Sequence, residues 1–454
     1  MTHSEATGLQ QRIEQRAAVV GVIGLGYVGL PLAVEFARAA FRVVGFDIDK
    51  TRVDALNKGI CHISDVDARV FQQALETRLE ITNNFDRLTE ADAVIICVPT
   101  PLNKNKEPDV SHIMSAAEHI ARRLRRGQLI ILESTTFPGT TTELLLPLFE
   151  RRGLHVGSDF WLAFSPERID PGNRRYALRD TPRVVGGITT QCTRLATALY
   201  HTIVEQVVPV SSPATAELVK LLENTYRAVN IGLANEFAQM ADILGIDIWE
   251  VIEAAATKPY GFTPFYPGPG PGGHCIPIDP LYLSWKLRSL RYRARFIELA
   301  SEINQEMPEF VVDLAARALN EHGKCLNGSR ILALGVAYKR DISDLRESPA
   351  LDVMRLLLQR RAHLAYIDQH VPCLQLNDNI YYSKTLTGEA LREVDCVLIL
   401  TDHSGVDYAQ VVREARLVVD TRNATANLPE AAHVWRLSRP RAGQQSGQAE
   451  RGAA

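Results

Sequence analysis

Short apolar runs alternating with amphipathic stretches fill the N-terminal third of the chain. The runs at 19–23, 43–46, 93–98, 129–132 and 161–164 are too brief for helices and carry almost no polar residue. They therefore read as strands buried on both faces, the signature of a parallel sheet built from βαβ units. Arginine-rich amphipathic segments such as 113–125 read as its covering helices. A different texture starts near 211. Ser-Ser-Pro at 211–213 can open a helix, and 214–244 then runs nearly free of Gly and Pro until Gly245. On that helix Leu218, Leu222, Thr225 and Val229 form one stripe, and Lys220, Asn224 and Arg227 form another. The Pro/Gly-dense segment 259–280 predicts an ordered or clamped loop, neither helix nor strand. A second helical stretch, 293–321, links the middle region to the last domain, with Pro308 as a point of kinking or division. After Gly328 the βα alternation returns, with strands expected at 330–334, 363–367, 396–400 and 417–419 and no second GxGxxG.

The expected fold is thus α/β, two Rossmann-like doubly wound domains joined by a helical middle region. Boundaries fall at 17–210, 211–322 and 323–437, with 438–454 an Arg/Gln/Gly/Ala-rich disordered tail. A length of 454 residues allows two or three such cores, and 46% hydrophobic with 23% charged residues is ordinary globular material. A net charge of −3 with no basic block argues against a nucleic-acid surface. Seven scattered cysteines (61, 97, 192, 275, 325, 373, 396) form no CxxC pair and no His/Cys cluster at metal spacing. That usage suits a reducing cytoplasm and argues against a disulfide framework or structural zinc. The first sixteen residues lack a signal-peptide apolar core, and no apolar run reaches membrane-spanning length.

Candidate chemistry begins at Gly24-Leu-Gly26-Tyr27-Val28-Gly29, between a predicted strand and a helix. The first glycine permits the tight turn, the second lets pyrophosphate approach the backbone, and the third lets helix pack on strand. Asp47, at the end of the next strand, can take both ribose hydroxyls and would repel a 2′-phosphate, which selects NAD over NADP. Arg52, five residues on, is either an adenosine-side contact or a solvated helix residue; Thr100 sits on the nicotinamide side; Cys97 reads as core.

The second centre is Cys275, in Gly-Pro-Gly-Pro-Gly-Gly-His-Cys-Ile-Pro-Ile-Asp-Pro (268–280). A thiol on a glycine-rich loop, with His274 beside it and Asp279 four residues later, can act as a nucleophile if its surroundings are electropositive. His274 could equally serve only to orient the loop. Lys220 and Asn224, one helical turn apart, could bind a developing oxyanion. Thr135 and Glu167 each follow a predicted strand, where open parallel sheets bind ligands, while Ser134 and Thr136 could instead cap a helix.

Together these motifs resemble the nucleotide-sugar 6-dehydrogenase family (UDP-glucose/GDP-mannose dehydrogenases), from about residue 18 to 435. The resemblance rests on Val-Ile-Gly-Leu-Gly-Tyr-Val-Gly-Leu-Pro (22–31), Glu-Leu-Val-Lys-Leu-Leu-Glu-Asn (217–224) and Gly-Gly-His-Cys-Ile-Pro-Ile-Asp-Pro (272–280). Ser-Pro-Glu-Arg-Ile-Asp-Pro-Gly-Asn (165–173) and Lys-Pro-Tyr-Gly-Phe (258–262) look most like the bacterial branch acting on UDP-N-acetylglucosamine, which serves surface polysaccharide synthesis. The resemblance implies a four-electron oxidation of the sugar C6 alcohol to a carboxylate with two NAD. Cys275 would hold the thiohemiacetal and then the thioester; Lys220 and Asn224 would stabilise oxygen at C6; Asp279 and Thr135 would help activate water; Glu167 would act as acid/base or position substrate. It further implies substrate contacts from Arg168, Tyr266, Gly272, Lys339 and Arg422, cofactor contacts from Thr135 and Arg346, and a homodimer or higher homo-oligomer. Where UDP-glucose members place an Arg and a Lys that reach the sugar across a dimer, this chain offers Lys258, Tyr260 and Tyr266. Two other readings stand beside this one: a two-electron β-hydroxyacid dehydrogenase, which needs neither the cysteine nor a second α/β domain, and a non-enzymatic NAD-sensing module. UDP-glucose and UDP-N-acetylmannosamine remain alternative substrates.

Overall fold

The computed structural model describes residues 2–63, 66–103, 105, 107–168, 176–273 and 275–439. The chain forms two compact units: Met1–Glu223 with Leu281–Arg293, and Asn224–Pro280 with Ala294–Ala454.

The first unit holds eight strands, β1 (Val19–Ile23), β2 (Arg42–Phe46), β3 (Leu79–Thr82), β4 (Ala93–Ile96), β5 (Gln128–Leu132), β6 (Phe160–Phe164), β7 (Arg183–Gly187) and β8 (Val207–Val210), in the order β3-β2-β1-β4-β5-β6-β7-β8. Neighbours are parallel except β6 and β7. The strands are apolar throughout because both faces are covered. Leu129, Ile131, Trp161 and Ala163 enter one core, while Ile130, Leu132, Phe160, Leu162 and Phe164 enter the other. β4 stops at Ile96, two residues short of the expected run, as the chain leaves the sheet toward Pro99. The polar N-terminus hides a helix, Thr2–Glu14, whose Ala6, Leu9 and Ile13 fall on one buried face at helical spacing. The order 3-2-1-4-5-6 places a topological switch between β1 and β4, and the carboxyl ends of β1, β4, β5 and β6 lie side by side.

The second unit carries β9 (Arg330–Leu334), β10 (His363–Ile367), β11 (Cys373–Leu376), β12 (Asn379–Tyr382), β13 (Cys396–Ile399), β14 (Val418–Asp420) and β15 (Val434–Arg436). Five form a parallel sheet, β10-β9-β13-β14-β15, and β11 and β12 make a separate hairpin. The sheet again switches direction, between β9 and β13. Its loops repeat the first unit's local device. Gly24 and Gly335 both adopt positive φ (+91° and +78°) after the first strand of their sheets. Asp47 accepts the Leu25 N–H at 2.9 Å, and Asp368 accepts the Val336 N–H at 2.7 Å.

Two expectations are corrected. The segment 259–280 is not loop to its end, because a helix starts at Cys275 (Cys275–Ser289). Pro277 falls in its first turn, where a missing N–H costs nothing. Pro308 neither divides nor ends its helix, which runs unbroken from Arg295 to Glu321. The Asn304 carbonyl, which Pro308 cannot engage, is packed by Gly270, whose added Cβ would stand 3.0 Å from that oxygen. The tail expected from 438 lies, from residue 440 onward, outside the described residues; Ser438 is placed, and its carbonyl accepts the Ile248 N–H at 3.1 Å. Among the described residues no helix is long and apolar enough to cross a membrane.

Candidate active site

The glycine-rich turn after β1 has three differently constrained positions. A Cβ on Gly24 would stand 2.6 Å from the Cys97 carbonyl oxygen, and one on Gly29 would stand 1.9 Å from the Gly24 oxygen. Both glycines are demanded by the protein itself. Gly26 is different, because among the described residues no atom beyond its own and its two chain neighbours' lies within 4 Å of where its side chain would begin. The open space there faces away from the protein, as a cradle for pyrophosphate requires, so these residues fit a dinucleotide. Tyr27 and Val28 pack partly against the core beside this turn. Asp47 is buried and holds the turn through Leu25; its Oδ2 also pairs with Arg52 Nη1 at 2.9 Å. Arg52 is therefore tied to Asp47 rather than extended into solvent.

The other expected residues of this unit sit at the neighbouring strand ends. Thr100 follows β4, and its carbonyl accepts the Tyr282 hydroxyl at 2.9 Å. Thr135 follows β5 and is half-buried, whereas Thr136 turns inward to share a 2.5 Å hydrogen bond with Thr140. Glu167 follows β6 and is buried, its Oε1 accepting the Arg168 N–H at 2.6 Å. Lys220 donates to the Glu167 carbonyl at 2.6 Å and is only 6% exposed. Arg168 pairs with Glu223 and donates to the Pro182 carbonyl at 2.8 Å. Residues 169–175, the rest of that motif, lie outside the described residues.

Sequence reasoning missed the residues beneath this row. Arg183 lies between two buried carboxylates, with Nη1 3.2 Å from Glu133 Oε1 and Nη2 3.0 Å from Glu167 Oε2. Tyr200 donates its hydroxyl to Glu133 Oε1, and Cys97 Sγ is 3.8 Å from Glu133 Oε2. Burial lifts Glu133 to about 7, against the pull of Arg183 and with the push of Glu167. Burial, reinforced by Glu133, also pushes the Cys97 thiol well above its ordinary value, so Cys97 is an inert core residue. No local motif announces this cluster, since its members stand 16 to 50 or more positions apart and meet only through strand order.

In the second unit Cys275 is the first residue of its helix and is half-buried. A helix start is the positive end of the helix dipole and favours negative charge on a group placed there. One turn on, Asp279 is fully buried and accepts from Asn224 Nδ2 at 2.5 Å. The preceding loop is clamped. A Cβ on Gly272 would meet Tyr338 Cβ at 2.5 Å, one on Gly273 would meet the Tyr338 ring at 2.8 Å, and Gly273 N–H donates to the Arg346 carbonyl at 2.9 Å. Further back, Gly268 N–H donates to Asn235 Oδ1 at 3.0 Å, and an added Cβ there would come 2.7 Å from Arg422 Nη1. Arg422 stands at the carboxyl end of β14, with Nε donating to the Leu400 carbonyl at 2.8 Å, and burial lowers its pKa. The side chain of Arg346 is held by Asp344 through two nitrogens. Lys339 is half-buried in the segment after β9. Tyr266 stands apart, stacked on Trp249 at 6.0 Å, and Lys258 sits over the Tyr260 ring. His274 lies outside the described residues. Asp341, His370 and His403 converge, a cluster invisible in linear spacing. Both ring nitrogens of His403 are already engaged, Nδ1 by the Asp341 N–H and Nε2 by Asp368 Oδ2, each at 2.9 Å. That histidine is a structural strut.

Residues 18–204, 214–306 and 332–427 match, in order, the NAD binding, central and UDP binding domains described for the UDP-glucose/GDP-mannose dehydrogenase family. The chain is 38% identical over 354 residues to UDP-N-acetyl-D-glucosamine 6-dehydrogenase of Pseudomonas aeruginosa, covering 78% of this chain and 83% of that one. It is 34% identical to NDP-N-acetyl-D-galactosaminuronic acid dehydrogenase of Ralstonia solanacearum, covering 91% and 98%. In structure it is similar to UDP-D-ManNAc dehydrogenase of Pyrococcus horikoshii, with TM-score 0.85, 34% identity and coverage of 93% and 99%.

Proposed function

Since this chain belongs to the UDP-glucose/GDP-mannose dehydrogenase family, we propose that it oxidises the C6 alcohol of UDP-N-acetylglucosamine to the carboxylate in two NAD-dependent steps. The overall balance is one alcohol, one water and two NAD giving one carboxylate, two NADH and three protons. The observation that carries the cysteine chemistry is the placement of Cys275 at a helix start behind a clamped glycine loop, with Asp279 one turn away and fixed by Asn224.

Gly24, Gly26 and Gly29, with Tyr27, Val28, Asp47, Arg52, Thr100 and Thr135, would hold NAD in the first unit, Arg346 adding a contact. NAD, when bound, accepts the hydride from C6. Lys220, its ammonium fixed by the Glu167 carbonyl, neutralises charge on the C6 oxygen as the hydroxyl proton passes to the Glu167 carboxylate, the acid/base of this step. After the first oxidation Cys275 adds to the aldehyde, and Asn224 donates to the resulting oxygen. The second oxidation leaves a thioester. Asp279, with Thr135, accepts a proton from the attacking water, and the Cys275 sulfur departs as product forms. Glu167 and Arg168 line the sugar side, with Gly272 giving the sugar close access to backbone; Arg422 and Lys339 meet the diphosphate, and Tyr266 adds a contact. UDP-N-acetylglucosamine is favoured by the Ser-Pro-Glu-Arg motif at 165–168 and by the 38% identity to the Pseudomonas aeruginosa enzyme. Relatives that act on other N-acetylated sugars match nearly as well.

With purified protein and a panel of UDP- and GDP-sugars, UDP-N-acetylglucosamine should release two NADH per sugar. Its kcat/KM should exceed that for UDP-glucose by about tenfold or more, as expected for a pocket that hydrogen-bonds the acetamido group. One NADH per sugar would instead indicate a two-electron dehydrogenase. A preference for another N-acetylhexosamine would move the substrate assignment and leave the chemistry intact.

A homodimer is part of the same proposal. On the helix Pro213–Leu244, Tyr226, Leu233, Phe237, Met240 and Leu244 share one face, and each is 43% to 64% exposed in the single chain. Light scattering should report a dimer or larger homo-oligomer. Phe237→Glu with Met240→Glu should shift it toward monomer; a wild-type monomer would refute the assembly. A cytoplasmic location, where UDP-sugars and NAD are both available, completes the reading.

A further inference from the structure

The cluster of Glu133, Arg183 and Glu167 is built at a cost that a purely structural turn would not need. Three ionisable side chains lie within the same buried layer, Glu133 at 1%, Arg183 at 2% and Glu167 at 7% exposure. The fold supplies the cation deliberately in one respect, because β7 is the strand that runs antiparallel to β6. Its register pairs Ala163 with Gly187 and Phe164 with Gly186. Continued by three more residues, that register sets Arg183 opposite Glu167 at the edge where β5 and β6 end. A parallel β7 would have carried its first residue to the other edge of the sheet.

The charge count is uneven. Two carboxylates share one guanidinium, while the Lys220 ammonium is engaged by the Glu167 main-chain carbonyl, so full ionisation would press two like charges onto a single partner in a dry layer, which is expensive. The remaining groups against Glu133 are the Tyr200 hydroxyl and the Cys97 thiol, both driven by burial well above their ordinary values and so uncharged. Neither can neutralise the excess. A proton on Glu133 can. The protonated carboxyl keeps one oxygen for Tyr200 and Arg183 and leaves the Arg183 charge committed to Glu167. Arg183 then orients Glu167, whose main-chain carbonyl in turn holds the Lys220 ammonium.

We propose that Glu133 and Arg183 are positioning residues for the oxidation, a protonated Glu133 letting Arg183 fix Glu167 and, through its carbonyl, Lys220. This rests on the dehydrogenase reading above. When Glu133 loses its proton, the guanidinium is divided between two anions and Glu167 is held less firmly. Gln at 133 copies the protonated carboxyl, with an oxygen to accept and an amide N–H₂ to donate.

The experiment compares wild type and Glu133→Gln. The ratio of kcat for Glu133→Gln to that for wild type should rise by about threefold or more between pH 6 and pH 8.5, as ionisation of one buried group predicts, with KM for both substrates nearly unchanged. A ratio that is flat with pH overturns the positioning role. The infrared difference spectrum, wild type minus variant, should show a protonated carboxyl band at pH 6 that fades as pH passes through neutrality; no band overturns the protonation assignment. Thermal unfolding gives a third readout. A carboxyl raised from 4.5 to about 7 on folding contributes stability below pH 4.5 that is lost as pH rises toward 7, so the gap should widen in favour of Gln across that window. The infrared and unfolding measurements need no substrate. Protein that reduces no NAD with any nucleotide sugar would sink the dehydrogenase reading, while those two arms would still judge the network.

Discussion

Cys275→Ser should reduce steady-state NADH formation from UDP-N-acetylglucosamine at least about a thousandfold, with NAD affinity changed less than about threefold. A serine hydroxyl at the helix start is not an anion near neutral pH, and as an ester it leaves less readily than a thioester. The loss should therefore fall on the second oxidation and on hydrolysis. Stopped-flow absorbance measures the rate, and quenching of protein fluorescence measures NAD binding. A variant within tenfold of wild type would remove the thiol from the mechanism. Alkylation supplies an independent check. Cys97, Cys192 and Cys396 are buried, whereas Cys325 and Cys373 are exposed. In a Cys325→Ser, Cys373→Ser background, iodoacetamide should label Cys275 ahead of the half-buried Cys61, whose thiol burial pushes up. Activity should be lost in step with that label.

Lys220→Ala should lower kcat by about a hundredfold to a thousandfold, the loss typical of removing one donor to a developing oxyanion. NAD affinity should stay within about threefold, because the proposed NAD contacts, the glycine turn and Asp47, do not include the lysine. The side chain sits at 6% exposure with its ammonium on the Glu167 carbonyl, so the variant also frees that carbonyl. Lys220→Arg should fail to restore the rate, since the larger planar guanidinium cannot occupy the same compact site. Isothermal titration with NAD, beside initial rates, separates the effects. Equal loss of affinity and rate would point to a folding defect, whereas a kcat left near the wild-type value would end the assignment.

The polarity of the helix Pro213–Leu244 marks where sequence and structure part. A stripe of Leu218 and Leu222 opposite Lys220 and Asn224 suggests apolar residues inside and polar residues in water. The protein does the reverse, with Leu218 and Leu222 exposed and Glu217, Lys220 and Asn224 buried. Glu217 accepts the Gly139 N–H at 2.6 Å and the Thr141 N–H at 2.9 Å, capping a distant turn. Helical periodicity reports that two faces differ and is silent on which neighbour each face will meet. Thr135 and Thr136 teach the same lesson, because adjacent threonines differ in burial, and Thr136 alone meets Thr140, only through the path the folded backbone takes.

Residues that act through their own stretch of backbone were legible: the apolar strands, the Gly24-Gly26-Gly29 turn with Asp47 after the next strand, and the cysteine behind a run of glycines. In each case the constraint is local, a φ angle that needs glycine, a hydrogen-bonding pattern that needs an extended chain, or a thiol set in a run of glycines rather than in an apolar strand. Assembly in three dimensions decided everything that depends on a partner far along the chain. Asn224 reaches Asp279 across 55 positions, and Arg183 meets both Glu133 and Glu167 because β7 runs against β6. Such pairs are set by strand order, register and the exclusion of water, none of which a linear pattern encodes.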